Sequence, residues 1–174
     1  MSEYLKQTDY VNAYDLARDR RTIEGQARLS DMLRLKEMIL PTEGTVTYRI
    51  SGMTAKKGWP GAVVELATVV PLVCNRCTKP LDFKIEKEVV FRFARTEEEA
   101  DAIPIEEDED VEVIVGSEKL NIMDWIEEEI ILSLPLVPVH ETRCVEVLPV
   151  DEEEESERQN PFAKLKDLKG LRKQ

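Results

Sequence analysis

Apolar and polar positions alternate along much of the first half of the chain. Residues 45–50 interleave β-branched or aromatic residues with others, 62–70 are rich in valine, and 81–93 alternate Leu, Phe, Ile and Val with charged residues. A two-residue period puts one apolar face on a strand, so these stretches predict antiparallel strands. The run Lys56-Lys57-Gly58-Trp59-Pro60-Gly61 is a turn by its Gly and Pro content, and residues 74–80 form the next connection between strands. A short strand bent at Gly25 is expected over residues 22–29, and a further one over 111–115.

The period lengthens in two places. Ser30 can cap a helix whose apolar face is Met32, Leu33, Leu35, Met38 and Ile39. A second helix is expected from Asn121 or Ile122 to about Ser133, with Trp125, Ile126, Ile130 and Leu134 facing a core and Pro135 ending it. Asp124, Glu127, Glu128 and Glu129 would lie toward its positive end. Together these elements predict an α+β fold. It would be a mainly antiparallel sheet or a partly closed barrel, with two packed helices.

Charge divides the rest of the chain. The 174 residues carry a net charge of −12, yet residues 97–159 hold 23 acids against 3 bases, so the remainder is +8. Residues 96–110 read as an acidic solvated loop. Residues 151–159, with Asp and four consecutive Glu, read as a linker, because blocks of like charge repel. Beyond it, Asn160 and Pro161 can start a basic tail helix with Phe162, Leu165 and Leu168 on one stripe. The expected organisation is a single domain over residues 1–150, a linker over 151–159 and a tail helix over 160–174. The N-terminus lacks a basic start followed by an apolar run, and no apolar stretch reaches the roughly 20 residues that span a bilayer, so a cytoplasmic protein without a membrane contact is expected.

The candidate chemistry lies in four residues. Cys74 and Cys77 can deliver two thiolates from one turn, and His140 and Cys144 offer a nitrogen and a third sulfur after the second helix. Three cysteines and one histidine make a complete tetrahedral zinc set. Such a closed set would act as a structural, zinc-ribbon-like clip and leave no position open for substrate. The alternative is ordinary thiols with an unrelated His and Cys. A redox dithiol fits less well, because Cys77-Thr78-Lys79-Pro80 leads into a strand rather than opening a helix.

The segment Val73-Cys-Asn-Arg-Cys-Thr-Lys-Pro, the run Glu127-Glu-Glu-Ile-Ile-Leu-Ser-Leu-Pro-Leu-Val-Pro-Val-His and the terminal Asn160-Pro-Phe-Ala-Lys-Leu resemble the YceD family, as does Arg21-Thr-Ile-Glu-Gly near the start. The resemblance covers roughly two thirds of the chain. In related families the position of His140 can be cysteine, which implies a metal role for the four residues. Zinc-knuckle turns often carry Gly after the second cysteine, where this chain has Thr78. The resemblance further implies a part in synthesis, processing or stability of the large (23S) ribosomal RNA, and no catalytic residue.

Two ways of acting follow. Arg18, Arg20, Arg21, Arg28 and Arg34, with the basic tail, could pair with RNA phosphates. Alternatively the acidic region could receive a basic ribosomal protein, or the Phe162, Leu165, Leu168 stripe could dock on a partner. Any one of these arginines could equally be a solvated surface charge. An enzyme is the weakest reading: there is no Gly-rich phosphate loop, no nucleophile elbow and no second histidine.

Overall fold

A computed structural model describes residues 4–104 and 111–144 of the chain. Contacts divide the chain into two units, Met1–Glu141 and Thr142–Gln174. The elements below belong to the first. The expected linker over 151–159 and tail helix over 160–174 lie outside the described residues.

The first unit is built on a five-stranded sheet in the order β2 (Thr22–Arg28), β3 (Thr45–Thr54), β4 (Pro60–Val73), β5 (Pro80–Ala94) and β6 (Val111–Val115). Alternation in the sequence becomes alternation of burial. Ile50, Val64 and Val89 stand side by side on the inner face, while Arg49, Glu65 and Glu88 in the adjacent register face outward. The first three pairings are antiparallel, as the alternation predicted, but β6 runs parallel to β5. The segment joining them holds a helix, α2 (Glu97–Asp101), capped by Thr96, where an acidic loop was expected. The sheet is open: β2 and β6 are its two edges, so the barrel alternative is set aside.

A further helix and a strand pair were not foreseen either. The helix α1 (Ala13–Arg18) begins at Asn12, whose side chain accepts from the amides of Tyr14 and Asp15. Its backbone lies so close to β3 that a Cβ at Gly52 would meet the Leu16 carbonyl oxygen at 1.9 Å. A side chain there would push α1 off the sheet. A two-stranded ribbon pairs β1 (Tyr10–Val11) with β7 (Leu120–Asn121), which leads into the next helix.

That helix, α3 (Ile122–Ser133), forms where expected, with Asn121 accepting from the Asp124 amide. Trp125 seats its ring edge-on against Phe91 at 5.0 Å and Phe93 at 6.0 Å, fixing α3 to the inner face of β5. Glu127 and Glu129, expected only as acids toward the positive end of the helix, are each just 2% exposed. Lys87, on the inner face of β5, reaches Glu129 at 2.8 Å.

The helix expected after Ser30 does not form. Residues Leu29–Asp31 and Leu35–Glu37 are two 3-10 turns, with Met32 extended between them. Leu29, Met32 and Leu35 are buried at three-residue intervals, while Leu33 and Met38 are exposed. That spacing suits the tighter turn. The Glu127 carboxylate then accepts from the Arg34 amide at 2.7 Å and the Leu35 amide at 2.9 Å, donors that a helix would have spent on itself. The Arg34 guanidinium also grips Glu127 and Glu128.

Candidate metal centre

The cysteine turn is the hairpin connection between β4 and β5, closed by the pairing of Val73 with Pro80. The Cys74 amide donates to the Lys79 carbonyl oxygen at 3.0 Å, and the Thr78 amide to the Cys74 carbonyl oxygen at 2.8 Å. Thr78 adopts φ 60°, the left-handed conformation for which glycine is the usual residue. Its hydroxyl donates to the Cys77 carbonyl oxygen at 2.7 Å. Threonine therefore makes the turn that glycine ordinarily makes.

The histidine arrives from the other side. After Pro135 the chain bends at Leu136 and Val137, and the Asn75 amide of the turn donates to the Pro138 carbonyl oxygen at 2.8 Å. His140 follows two residues later. Its Nε2 lies 3.1 Å from the Pro80 carbonyl oxygen, and its Nδ1 lies 3.4 Å from Cys77 Sγ. A carbonyl can only accept, so the proton sits on Nε2 and the Nδ1 lone pair faces the thiols. A backbone carbonyl holding the far ring nitrogen is the usual way a metal-binding histidine is oriented.

The ligand atoms of Cys74, Cys77 and His140 lie within 4.8 Å of one another. Tetrahedral zinc with bonds of about 2.3 Å to sulfur and about 2.05 Å to nitrogen would hold such atoms roughly 3.6–3.8 Å apart. The Cys77–His140 separation of 3.4 Å is close to that edge. Cys74 is buried, and burial pushes its thiol up, but the backbone amides of His140, Cys77 and Arg76 and the Cys77 side chain outweigh it. They lower its pKa from 9.0 to about 5. Backbone donors aimed at this sulfur favour the thiolate, the form that binds metal. The three ligand atoms are placed so that they could hold a cation between them.

Three of the four predicted ligands thus meet within the first unit, and the fourth, Cys144, belongs to the second. The Pro80 carbonyl and the amides around Cys74 were missed by sequence reasoning, since backbone groups leave no residue signature. Arg20 and Arg21 are exposed just before β2, and the Arg28 guanidinium stands over the Tyr4 ring, 4.6 Å from its centroid. Phe162, Leu165 and Leu168 lie outside the described residues. No helix among the described residues is long and apolar enough to cross a membrane.

Comparison with known proteins supplies the context. The model of a family described as large ribosomal RNA subunit accumulation protein YceD matches residues 63–169, a span that contains both cysteine-bearing segments. A curated relative of that description from Haemophilus influenzae is 34% identical over 108 residues, covering 58% of this chain and 60% of its own length. The chain therefore spans less than two thirds of that relative. No solved structure matches.

Proposed function

The chain belongs to the YceD family, and from that premise we propose that it is a non-enzymatic factor of large-subunit biogenesis, supporting synthesis, processing or stability of 23S rRNA in the cytoplasm. The observation that carries this is the family match across the cysteine turn and the histidine segment. The geometry there favours holding over catalysis. Cys144 follows His140 by four residues, at most about 14 Å of extended chain, and supplies the fourth ligand. With all four positions filled by protein, zinc has none left for water or substrate and acts as a clip. The clip joins the β4–β5 turn to the segment that follows α3.

The second reading, a protein-binding adaptor for a basic ribosomal protein, draws on Leu132, Leu136, Val137 and Val139. All four are exposed, Leu136 fully, in a stretch flanked by Glu128 and Glu141. Apolar contact rimmed by acids suits a basic partner. The Phe162, Leu165, Leu168 stripe is a further docking element on this reading.

Sucrose-gradient fractionation of lysate tests the proposal. Co-migration with large-subunit precursors, with their rRNA recovered after mild crosslinking, is expected. Recovery only at the top of the gradient, free of ribosomal protein and RNA, contradicts it. Metal analysis of untagged protein purified without chelator should give about one zinc per chain, and less than roughly a tenth of that removes the clip.

A further inference from the structure

The fold sorts the five arginines that charge alone offered to RNA. Arg18 pairs with Asp15 and Asp19, Arg34 with Glu127 and Glu128, and Arg28 lies against Tyr4. Arg20 and Arg21 are both exposed, and Arg21 lies near enough to Asp19, the carboxylate that Arg18 holds, to act on its charge. Their place in the sheet brings them other company. Gly52 of β3 donates its amide to the Arg21 carbonyl oxygen at 2.8 Å, so the two arginines enter β2 beside the end of β3. Thr54 at that end pairs with Pro60, and the turn between them carries Lys56 and Lys57, both exposed. On β4, Gly61 pairs with Arg92 of β5. Five cations from four adjacent strands and their connections therefore gather at one end of the sheet, the end away from the cysteine turn.

An aromatic ring sits among them. A Cβ at Gly61 would meet Trp59 Cζ3 at 2.9 Å, so the missing side chain is what lets the indole fold over β4. The Arg92 guanidinium stands over that ring at 5.7 Å from its centroid. The indole N–H has no hydrogen-bond partner among the described residues, which leaves these contacts to hold the ring. The next outward positions, Ser51, Val63 and Val90, are uncharged. Carboxylates on this face begin with Glu24, Glu65 and Glu88, two of which flank Arg49, four residues further along from Met53, Gly61 and Arg92. Four residues of strand are about 13 Å, and the three spacings from β2 to β5 are about 14 Å. The acids of α2, Glu97, Glu98 and Glu99, follow β5 and bound the patch on its β6 side.

We propose that this basic end of the sheet binds single-stranded RNA. Arg20, Arg21, Lys56 and Lys57 receive phosphates, and a base stacks on the Arg92 guanidinium that Trp59 supports. Charges spread over about 14 Å beside an arginine–aromatic stack suit a splayed strand, since single strands are held by phosphate contacts and sequence-tolerant stacking. A protein of net charge −12 that concentrates exposed cations here presents one local field opposite to its own. The inference rests on the large-ribosomal-RNA reading and names the surface through which the RNA is met.

The test is fluorescence anisotropy of a labelled 12-nucleotide oligoadenylate with the full chain between 50 and 200 mM salt. Each phosphate neutralised on a single strand contributes about −0.7 to the slope of log K against log salt. The double variant Arg20→Ala, Lys56→Ala should therefore make that slope shallower by about 1.4. Arg92→Lys keeps the charge and loses the stacking plane, so it should weaken binding roughly tenfold with the slope unchanged. No binding by the wild-type chain, or variants indistinguishable from it, overturns the inference. Gradient co-migration of the same proteins separates the two claims. If oligonucleotide binding is absent while the wild-type chain still migrates with large-subunit precursors, this surface is rejected and the ribosomal reading stands. If that migration depends on Arg20 and Lys56 without oligonucleotide binding, the RNA assignment is overturned in favour of an acidic protein surface.

Discussion

Two glutamates show how single residues set this fold. Glu127 is 2% exposed and satisfies the amides of Arg34 and Leu35, so its loss strands donors that water cannot reach. Glu127→Ala should cost about 3 kcal/mol in urea unfolding, and Glu127→Gln, which keeps one acceptor oxygen, about half that. An alanine variant as stable as the wild type contradicts the capping role. Glu129 tests the same helix through pH. Burial, its largest influence, raises its pKa above the ordinary 4.5; Lys87 opposes this, while Glu112 and Glu128 add to it. A carboxyl with a raised folded pKa holds its proton more readily folded than unfolded, so stability falls as pH climbs from about 4.5 through the raised value. The stability of the wild type relative to Glu129→Gln should fall across that window. A difference that rises with pH, or does not change, contradicts the account. Neither role was legible in the sequence. The three glutamates read as acids complementing the positive end of the helix, and only the positions of Arg34 and Lys87 reveal two of them as buried acceptors.

At the scale of elements, periodicity was a good guide wherever one element decided its own burial. The cores of β3, β4 and β5 and the whole of α3 follow from alternation, from Asn121 as cap and from Pro135 as stop. It failed where a distant group intervened. Residues 30–39 have apolar spacing that fits a helix, but the Glu127 carboxylate takes two of the amides and the chain folds into two 3-10 turns. The parallel pairing of β6 was equally hidden, since strand patterning carries no direction. The candidate metal centre was legible as four candidate ligands because cysteine and histidine are scarce here. Its conformational support in Thr78 and Pro80 was not. If zinc clips the segment after Pro135 to the β4–β5 turn, a strong chelator should lower the thermal midpoint and speed hydrogen exchange at the Asn75 amide, which donates to Pro138. Exchange unaffected by chelator, in protein shown to have contained zinc, contradicts the clip.

For the whole molecule, the separation of charge carries the functional account. Acids concentrate between residues 97 and 159, whereas one end of the sheet collects Arg20, Arg21, Lys56, Lys57 and Arg92 beside Trp59. The sequence placed excess positive charge outside the acidic stretch, but the gathering of those five residues depended on register and on the space left by Gly61. On the proposed reading, a clip at one end of the sheet and a cationic surface at the other would hold and position RNA without transforming it. The most direct test is the ratio of 23S to 16S rRNA in a strain from which this chain has been deleted, with and without plasmid copies. The account predicts a lowered ratio, restored by the wild-type chain and not by a Cys74→Ser, Cys77→Ser variant expressed to the same level. A ratio unchanged by the deletion, in cells lacking any second copy of the gene, contradicts it.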